Sequence, residues 1–297
     1  MGVRVGIMFA NGARSAEPEH AAGLARHAEA AGYESLWAVQ HVVVPVQHDS
    51  RYPYSDSGTI PGGPFVAVPE PLVWLAFVAA VTTRIRLATG VLILPQQHPL
   101  LVAKQAATLD RLCGGRLLLG VGAGWLREEF DTLDAVFDGR GPRLDEAIGV
   151  MRRAWADRVV VSAGPAYQHG PVAVEPKPVR GTIPVVVGGH TAAAARRAGR
   201  LADGFFPLDS RGDDLRQLVR EVRAHAERAG RDPLSVEISA VAPRDEADAA
   251  VLLELGVTRV IVNAPHVETA LMAERLAERL AERLAHVRGL LPVTVPA

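Results

Sequence analysis

Eight short apolar runs, each followed by a helical pattern, constrain this chain more than any other feature of its sequence. The spacing predicts strands at Val3–Ala10, Ser35–Val39, Ile85–Leu94, Arg116–Val121, Pro184–Val187, Gly204–Phe206, Val236–Ala240 and Val257–Val262. These runs are rich in Val, Ile and Leu, the composition of strands buried on both faces of a parallel sheet. Helices are predicted at Pro18–Ala31, Pro71–Val81, Leu100–Leu112, Leu144–Trp155, Thr191–Leu201, Leu215–Ala229 and Ala247–Leu255, with a last helix in the C-terminal tail. Pro18 near the start of the first and Gly32 just past its end are the usual helix punctuation. Eight such units favour an α/β fold closed into a (β/α)8 TIM barrel, with an open doubly wound sheet as the alternative. A barrel takes about 250 residues, so 297 residues leave room for insertions at its C-terminal face within a single domain.

Two segments interrupt the rhythm. Residues 42–69 are rich in Pro, Gly, Ser and aromatic rings. A loop of that length is usually functional or disordered, and its place after the second strand makes it a lid over the barrel mouth. Residues 158–180 are expected to form a small hairpin insertion. The tail from Ala273, AERLAERLAERLAHVR, repeats leucine at 276, 280 and 284. It reads as a helix packing on the barrel with Glu–Arg pairs outside.

The formal net charge is −1 and no basic block is present, so no nucleic-acid surface is indicated. A single cysteine, Cys113, excludes an internal disulfide and gives no support to a thiolate metal site. No metal is expected. The opening MGVRVGIMFA reads as a first strand rather than a signal peptide. No window reaches 18 uncharged apolar residues, so no membrane span is expected. A cytoplasmic enzyme is the expectation. Motifs of zinc peptidases and serine hydrolases are missing from the sequence.

In a parallel barrel the site lies where strands end and helices begin. That rule selects Gln40 and His41, Gly90 and Val91, the run Gly120–Trp125, Gly188–His190, and Asp209–Arg211. In RIRLATGVLILPQQHP a glycine sits inside a strand pattern, which marks a bulge or a close approach to the backbone. GVGAGW has GxGxG spacing rather than the GxGxxG of a dinucleotide fold. Its glycines read either as a turn of small residues or as room for a flat ligand against the backbone. GGHTAAAARRAGR places Gly188 and Gly189 before a helix start, where free N–H groups favour phosphate; Thr191 is equally readable as a simple N-cap. His41, at an early strand end beside the lid, is either a proton-transfer group or a packed histidine. The other histidines read as turn, loop or surface groups.

Taken in order, these pieces resemble the luciferase-like monooxygenase superfamily, in particular its branch of oxidoreductases dependent on the deazaflavin coenzyme F420. The strongest block is LATGVLILPQQHPLLVAKQAATLDRLCGGRLLLGVGAGWLREEF. GYESLWAVQHVVVP, RGPRLDEAI, IPVVVGGHTAAAARRAGRLADGF and LGVTRVIV support it. The resemblance implies a (β/α)8 barrel, often a homodimer, that uses F420 or FMN. It implies a non-proline cis peptide at Gly90–Val91 that forms a bulge behind the cofactor ring. His41 would be catalytic. Gln40, Thr89, Gly90, Val91, Gly122, Ala123 and Gly124 would line the ring, and Gly188, Gly189, His190 and Arg211 would hold the phosphate side. Gln40 stands where relatives often have an acid, and Trp125 where sugar-phosphate dehydrogenases of the family place a catalytic Glu. Both departures argue against a sugar phosphate and leave the proton-transfer partner open. Glu128 and Glu129 lie near in sequence on a segment that could face solvent. The implied reaction is hydride transfer between F420 and a small organic substrate. The alternatives are an FMN-dependent two-component monooxygenase and a non-catalytic flavin or deazaflavin carrier. Tyr52, Tyr54 and Phe65 in the lid favour an apolar or aromatic substrate.

Overall fold

The computed structural model describes residues 2–265 and 275–294. Eight parallel staves close into a barrel with helices between them. In chain order they are β1 (Arg4–Met8), β2 (Ser35–Ala38), a split third stave of β3 (Arg86–Thr89) and β4 (Leu92–Ile93), and β5 (Leu117–Gly122). Then come β8 (Val185–Gly188), β9 (Gly204–Phe206), β10 (Glu237–Val241) and β11 (Arg259–Asn263). The first and last staves pair in register from Arg4 opposite Arg259 to Met8 opposite Asn263, which closes the ring. β6 (Val160–Ala163) and β7 (Gln168–Val172) pair antiparallel outside the barrel.

The expected third strand, Ile85–Leu94, is interrupted at its glycine. The Gly90–Val91 peptide is cis, and β3 and β4 lie on either side of it. The helix expected from Leu144 begins four residues earlier: α5 runs Arg140–Ala156. Gly141 and Pro142 look like breakers in sequence, but proline in a first turn lacks only an N–H that has no partner there anyway. A short helix, α4 (Arg127–Thr132), carries the REEF segment and was not expected. The remaining helices are α1 (Pro18–Ala31), α2 (Pro71–Ala79), α3 (Pro99–Leu112), α6 (Ala192–Leu201), α7 (Gly212–Arg228), α8 (Glu246–Glu254) and α9 (Leu276–Leu290). In α9, Leu276, Leu280 and Leu284 are buried, and the Tyr33 hydroxyl donates to Leu280 O at 2.8 Å. Ala273 and Glu274, at the start of the expected tail helix, lie outside the described residues.

Charged residues open several staves, and at the lower end they face one another. Arg4, Arg86, Glu237 and Arg259 each begin a strand, and Glu34 precedes one. Arg259 donates through Nε and Nη2 to both carboxylate oxygens of Glu34, each at 2.8 Å, and reaches Ser239 Oγ at 3.2 Å. Its Nη1 lies 2.8 Å from Glu237 Oε1. Burial alone would raise the Glu34 carboxyl, but the Arg259 bonds and charge hold it below the usual carboxylate range. Above this plug an inner apolar layer fills the barrel with Met8, Trp37, Ala88, Leu118, Val186, Phe206 and Ile261. The upper, C-terminal end is left open.

Candidate active site

That open end is a cavity of about 970 Å³, lined by residues from the ends of several staves and from the 42–69 segment. Gln40, His41, Gly90, Val91, Gly122, Ala123, Gly124, Gly188, Gly189 and His190 all border it. Residues distant in sequence thus meet on one wall. Val91 is its centre. A Cβ on Gly122 would lie 2.6 Å from Val91 Cγ2, and one on Gly188 would lie 2.5 Å from Val91 Cγ1. The two glycines therefore seat the Val91 side chain, which the bulge turns toward the next two staves. At Gly90 the close neighbour is a side chain: a Cβ there would stand 3.2 Å from Trp37 Cε3. Gln40 fastens the second stave to the far side of the bulge, its Oε1 accepting from Ile93 N at 2.6 Å.

Two expected site residues stand elsewhere. Thr89 is fully buried, and its hydroxyl donates to Gly120 O at 2.6 Å, so it ties two staves together and does not border the cavity. Arg211 caps the start of α7 and donates to Asp248 Oδ2 at 2.9 Å and Ala242 O at 3.2 Å. The Asp248 carboxylate draws that guanidinium away from the cavity wall.

His41 has a buried partner. Its Nδ1 lies 3.1 Å from Glu129 Oε2, and Glu129 is 2% exposed. The other carboxylate oxygen accepts from Val42 N at 2.7 Å and Val43 N at 3.3 Å. Glu129 thus faces inward, not solvent. A carboxylate acceptor fixes the proton on Nδ1 and leaves Nε2 as the free, basic nitrogen. Glu128, one residue earlier, accepts from Asp49 N at 2.8 Å and Ser50 N at 3.0 Å. Burial works against ionisation there, but the Ser50 and Asp49 hydrogen bonds bring its carboxyl down to about 2.

Rings cross the cavity mouth. Trp125 stands edge-on to His41 at 6.0 Å between centroids, to His48 at 6.1 Å and to Tyr52 at 5.4 Å. Tyr52 meets Tyr54 at 5.4 Å, and Tyr54 meets His190 at 5.1 Å. Burial, followed by the charges of Tyr52 and Asp209, pushes the Tyr54 phenol up to about 12, so it stays neutral.

Four basic groups on the wall were not singled out in the sequence: Arg14, His20, Arg140 and Arg197. Arg197 is paired with Asp145. Arg140 lies over the Phe137 ring at 3.7 Å and donates to Gly124 O at 3.0 Å; among the described residues no carboxylate bridges it. Burial, then the Arg14 charge, lowers the His20 imidazole below its ordinary value, so it is not the surface histidine expected. The strand-end rule did not select these groups, because Arg140 opens α5 and Arg197 lies in the middle of α6. Thr191 Oγ1 accepts from Ala194 N at 3.2 Å, so this hydroxyl caps α6.

Residues 3–289 match the family model of luciferase-like monooxygenases. An uncharacterized protein of Mycobacterium tuberculosis is 37% identical over 243 residues, 80% of this chain and 83% of that one. An F420-dependent glucose-6-phosphate dehydrogenase of Nakamurella multipartita is 30% identical over 225 residues, 72% of this chain and 60% of that one. Among solved structures, the coenzyme F420-dependent tetrahydromethanopterin reductase of Methanopyrus kandleri superposes with a TM-score of 0.70, covering 96% of this chain and 99% of that one at 19% identity. With a family match that spans nearly its whole length, and with the closed barrel that goes with it, the chain belongs to the luciferase-like monooxygenase family.

Proposed function

We propose that this protein is an F420-dependent oxidoreductase acting on a small, uncharged organic substrate. The observation that carries the reading is the His41–Glu129 pair beside the Val91 wall, inside a cavity large enough for a tricyclic ring and a substrate together. The wall suits such a group. Val91, Ala123 and the glycines around them present a surface without long side chains. Arg140, unbridged by a carboxylate, offers charge to an anionic tail, and Gly188–His190 stand before the α6 helix start. When bound, a deazaflavin supplies hydride transfer; orientation and shielding are the protein's contribution.

Within that frame His41 holds or delivers a proton at Nε2, while Glu129 keeps the ring from turning. Gln40 and Trp125 carry no titratable acid; of the imidazoles bordering the cavity, His41 is the one held by a buried carboxylate. Tyr52, Tyr54 and Trp125 cover the mouth and exclude water. The nearby carboxylates, Glu128 and Glu129, each give their Oε1 to backbone amides. The 30% relative is a dehydrogenase of this cofactor class by name, which favours F420 over FMN. A second reading, an FMN-dependent monooxygenase, is favoured by the family's name and by a similar solved structure, a monooxygenase of Streptomyces bottropensis.

The test is an anaerobic assay of purified protein with F420 and a panel of alcohols, enones and imines. Substrate-dependent change in the cofactor's visible absorbance without oxygen is the expected result. Product formed only with reduced FMN and oxygen would overturn the reading.

A further inference from the structure

A second hollow of about 430 Å³ adjoins the large cavity, between the starts of α6 and α7. Pro53, Tyr54, His190 and Leu208 border both spaces. The partition is therefore thin, and its middle is the edge-to-face contact of Tyr54 with His190 at 5.1 Å. Beyond the partition the hollow is lined by the carboxylates of Asp209, Asp214 and Glu221, with no lysine or arginine. The large cavity instead carries Arg14, Arg140 and Arg197 on its lining, against the one carboxylate of Glu129.

Tyr54 belongs to a segment that hydrogen-bonds chiefly within itself. Its flanks are fastened. Glu129 and Glu128 accept from Val42, Val43, Asp49 and Ser50 at one end. At the other, Asn11 Nδ2 donates to Pro69 O at 2.7 Å and Ala13 N donates to Ala67 O at 2.8 Å. Between them, residues 51–63 bond to themselves: Tyr52 N to Gly58 O, Gly58 N to Ser55 O, Gly63 N to Ile60 O, and Ser55 Oγ to Thr59 O. Among the described residues no hydrogen bond joins 51–63 to the barrel. Gly62 and Gly63, at φ +84° and +70°, end the segment on a left-handed pair. Its Tyr52 and Tyr54 rings rest on Trp125 and His190.

We propose that residues 51–63 form a door: Tyr54, shut against His190, separates the reaction cavity from the acidic side hollow, and its opening admits uncharged or cationic substrates in preference to anions. The proposal rests on the functional reading above only in taking the large cavity as the reaction site. Field lines from the three carboxylates repel anions from the passage.

The test uses tryptophan quenching in the protein without added cofactor. Trp37, Trp74 and Trp155 are at most 5% exposed, so quenching reports Trp125. Tyr54→Ala should at least double the quenching constant of acrylamide, whereas Tyr54→Phe should match the wild type. With Asp214→Asn and Glu221→Gln combined, on exposed or half-exposed positions, the ratio of caesium to iodide quenching should fall at least twofold. Amide exchange should show Tyr52, Gly58 and Gly63 opening together, at least tenfold faster than Val42, Asp49 and Ser50. An unchanged acrylamide constant in a folded Tyr54→Ala protein would overturn the door. So would an unchanged ion ratio in the neutralised pair, a readout that stands if Tyr54→Ala does not fold. A failed cofactor titration would overturn the functional reading and leave these measurements untouched.

Discussion

Val91 limits what two neighbouring staves can carry. With a Cβ at residue 122 only 2.6 Å from its Cγ2, Gly122→Ala overpacks the wall. Overpacking of this kind costs about 1–3 kcal/mol. Denaturant unfolding should show that loss, and Val91→Ala in the same chain should restore most of it. Glu129 acts through another residue. Glu129→Gln keeps an acceptor for the Val42 and Val43 amides but removes the charge facing His41. Turnover should drop by about 10²-fold, in the range of a general acid–base contribution, while KM changes little; unchanged kcat would remove Glu129 from the site. At this scale the sequence was legible at strand ends: His41, Gly90, Val91 and the glycines at 122, 124, 188 and 189 all reach the cavity. It left Glu129 on a segment that could face solvent, because that residue is 88 positions from His41 and meets it only through a helix invisible in the hydrophobic pattern. Thr89 and Arg211 misled because a strand-end position says nothing about which neighbour claims the side chain.

The elements show the same division. Strand and helix types followed from period and punctuation, whereas two boundaries did not: the bulge that splits the third stave, and the proline-bearing first turn of α5. The 42–50 flank of the proposed door depends on a titrating group. The Glu128 carboxyl sits at about 2 in the folded protein against an ordinary 4.5. Its hydrogen bonds to Asp49 and Ser50 therefore contribute fully above about pH 4.5, and that contribution is lost as pH falls through about 2. Protection of the Asp49 and Ser50 amides should fall across that window, and Glu128→Gln should abolish the dependence. On the opposite side of the barrel, Tyr33→Phe removes the hydroxyl that holds α9 through Leu280 O. A loss of about 1 kcal/mol is expected, measured by thermal unfolding.

At the scale of the whole molecule the barrel has a sealed lower end and an open upper one. The seal is ionic, and in sequence it appears only as charged residues at strand starts, which read equally well as solvent-facing boundaries. Glu34→Gln leaves Arg259, at 1% exposure, without its bidentate partner. Breaking one side of a buried pair typically costs about 3–5 kcal/mol, so unfolding midpoints should drop sharply while cofactor affinity, set at the other end, is retained. The closed ring itself was legible because eight buried strands separated by helices leave few other solutions. What occupies the open end is the central claim. The direct measurement is equilibrium titration of the purified protein with oxidised F420 and, separately, with FMN. The account predicts saturable one-to-one binding of F420, weakened at least tenfold by Arg140→Ala, and weaker binding of FMN. No saturable binding of F420, or tighter binding of FMN, would contradict it.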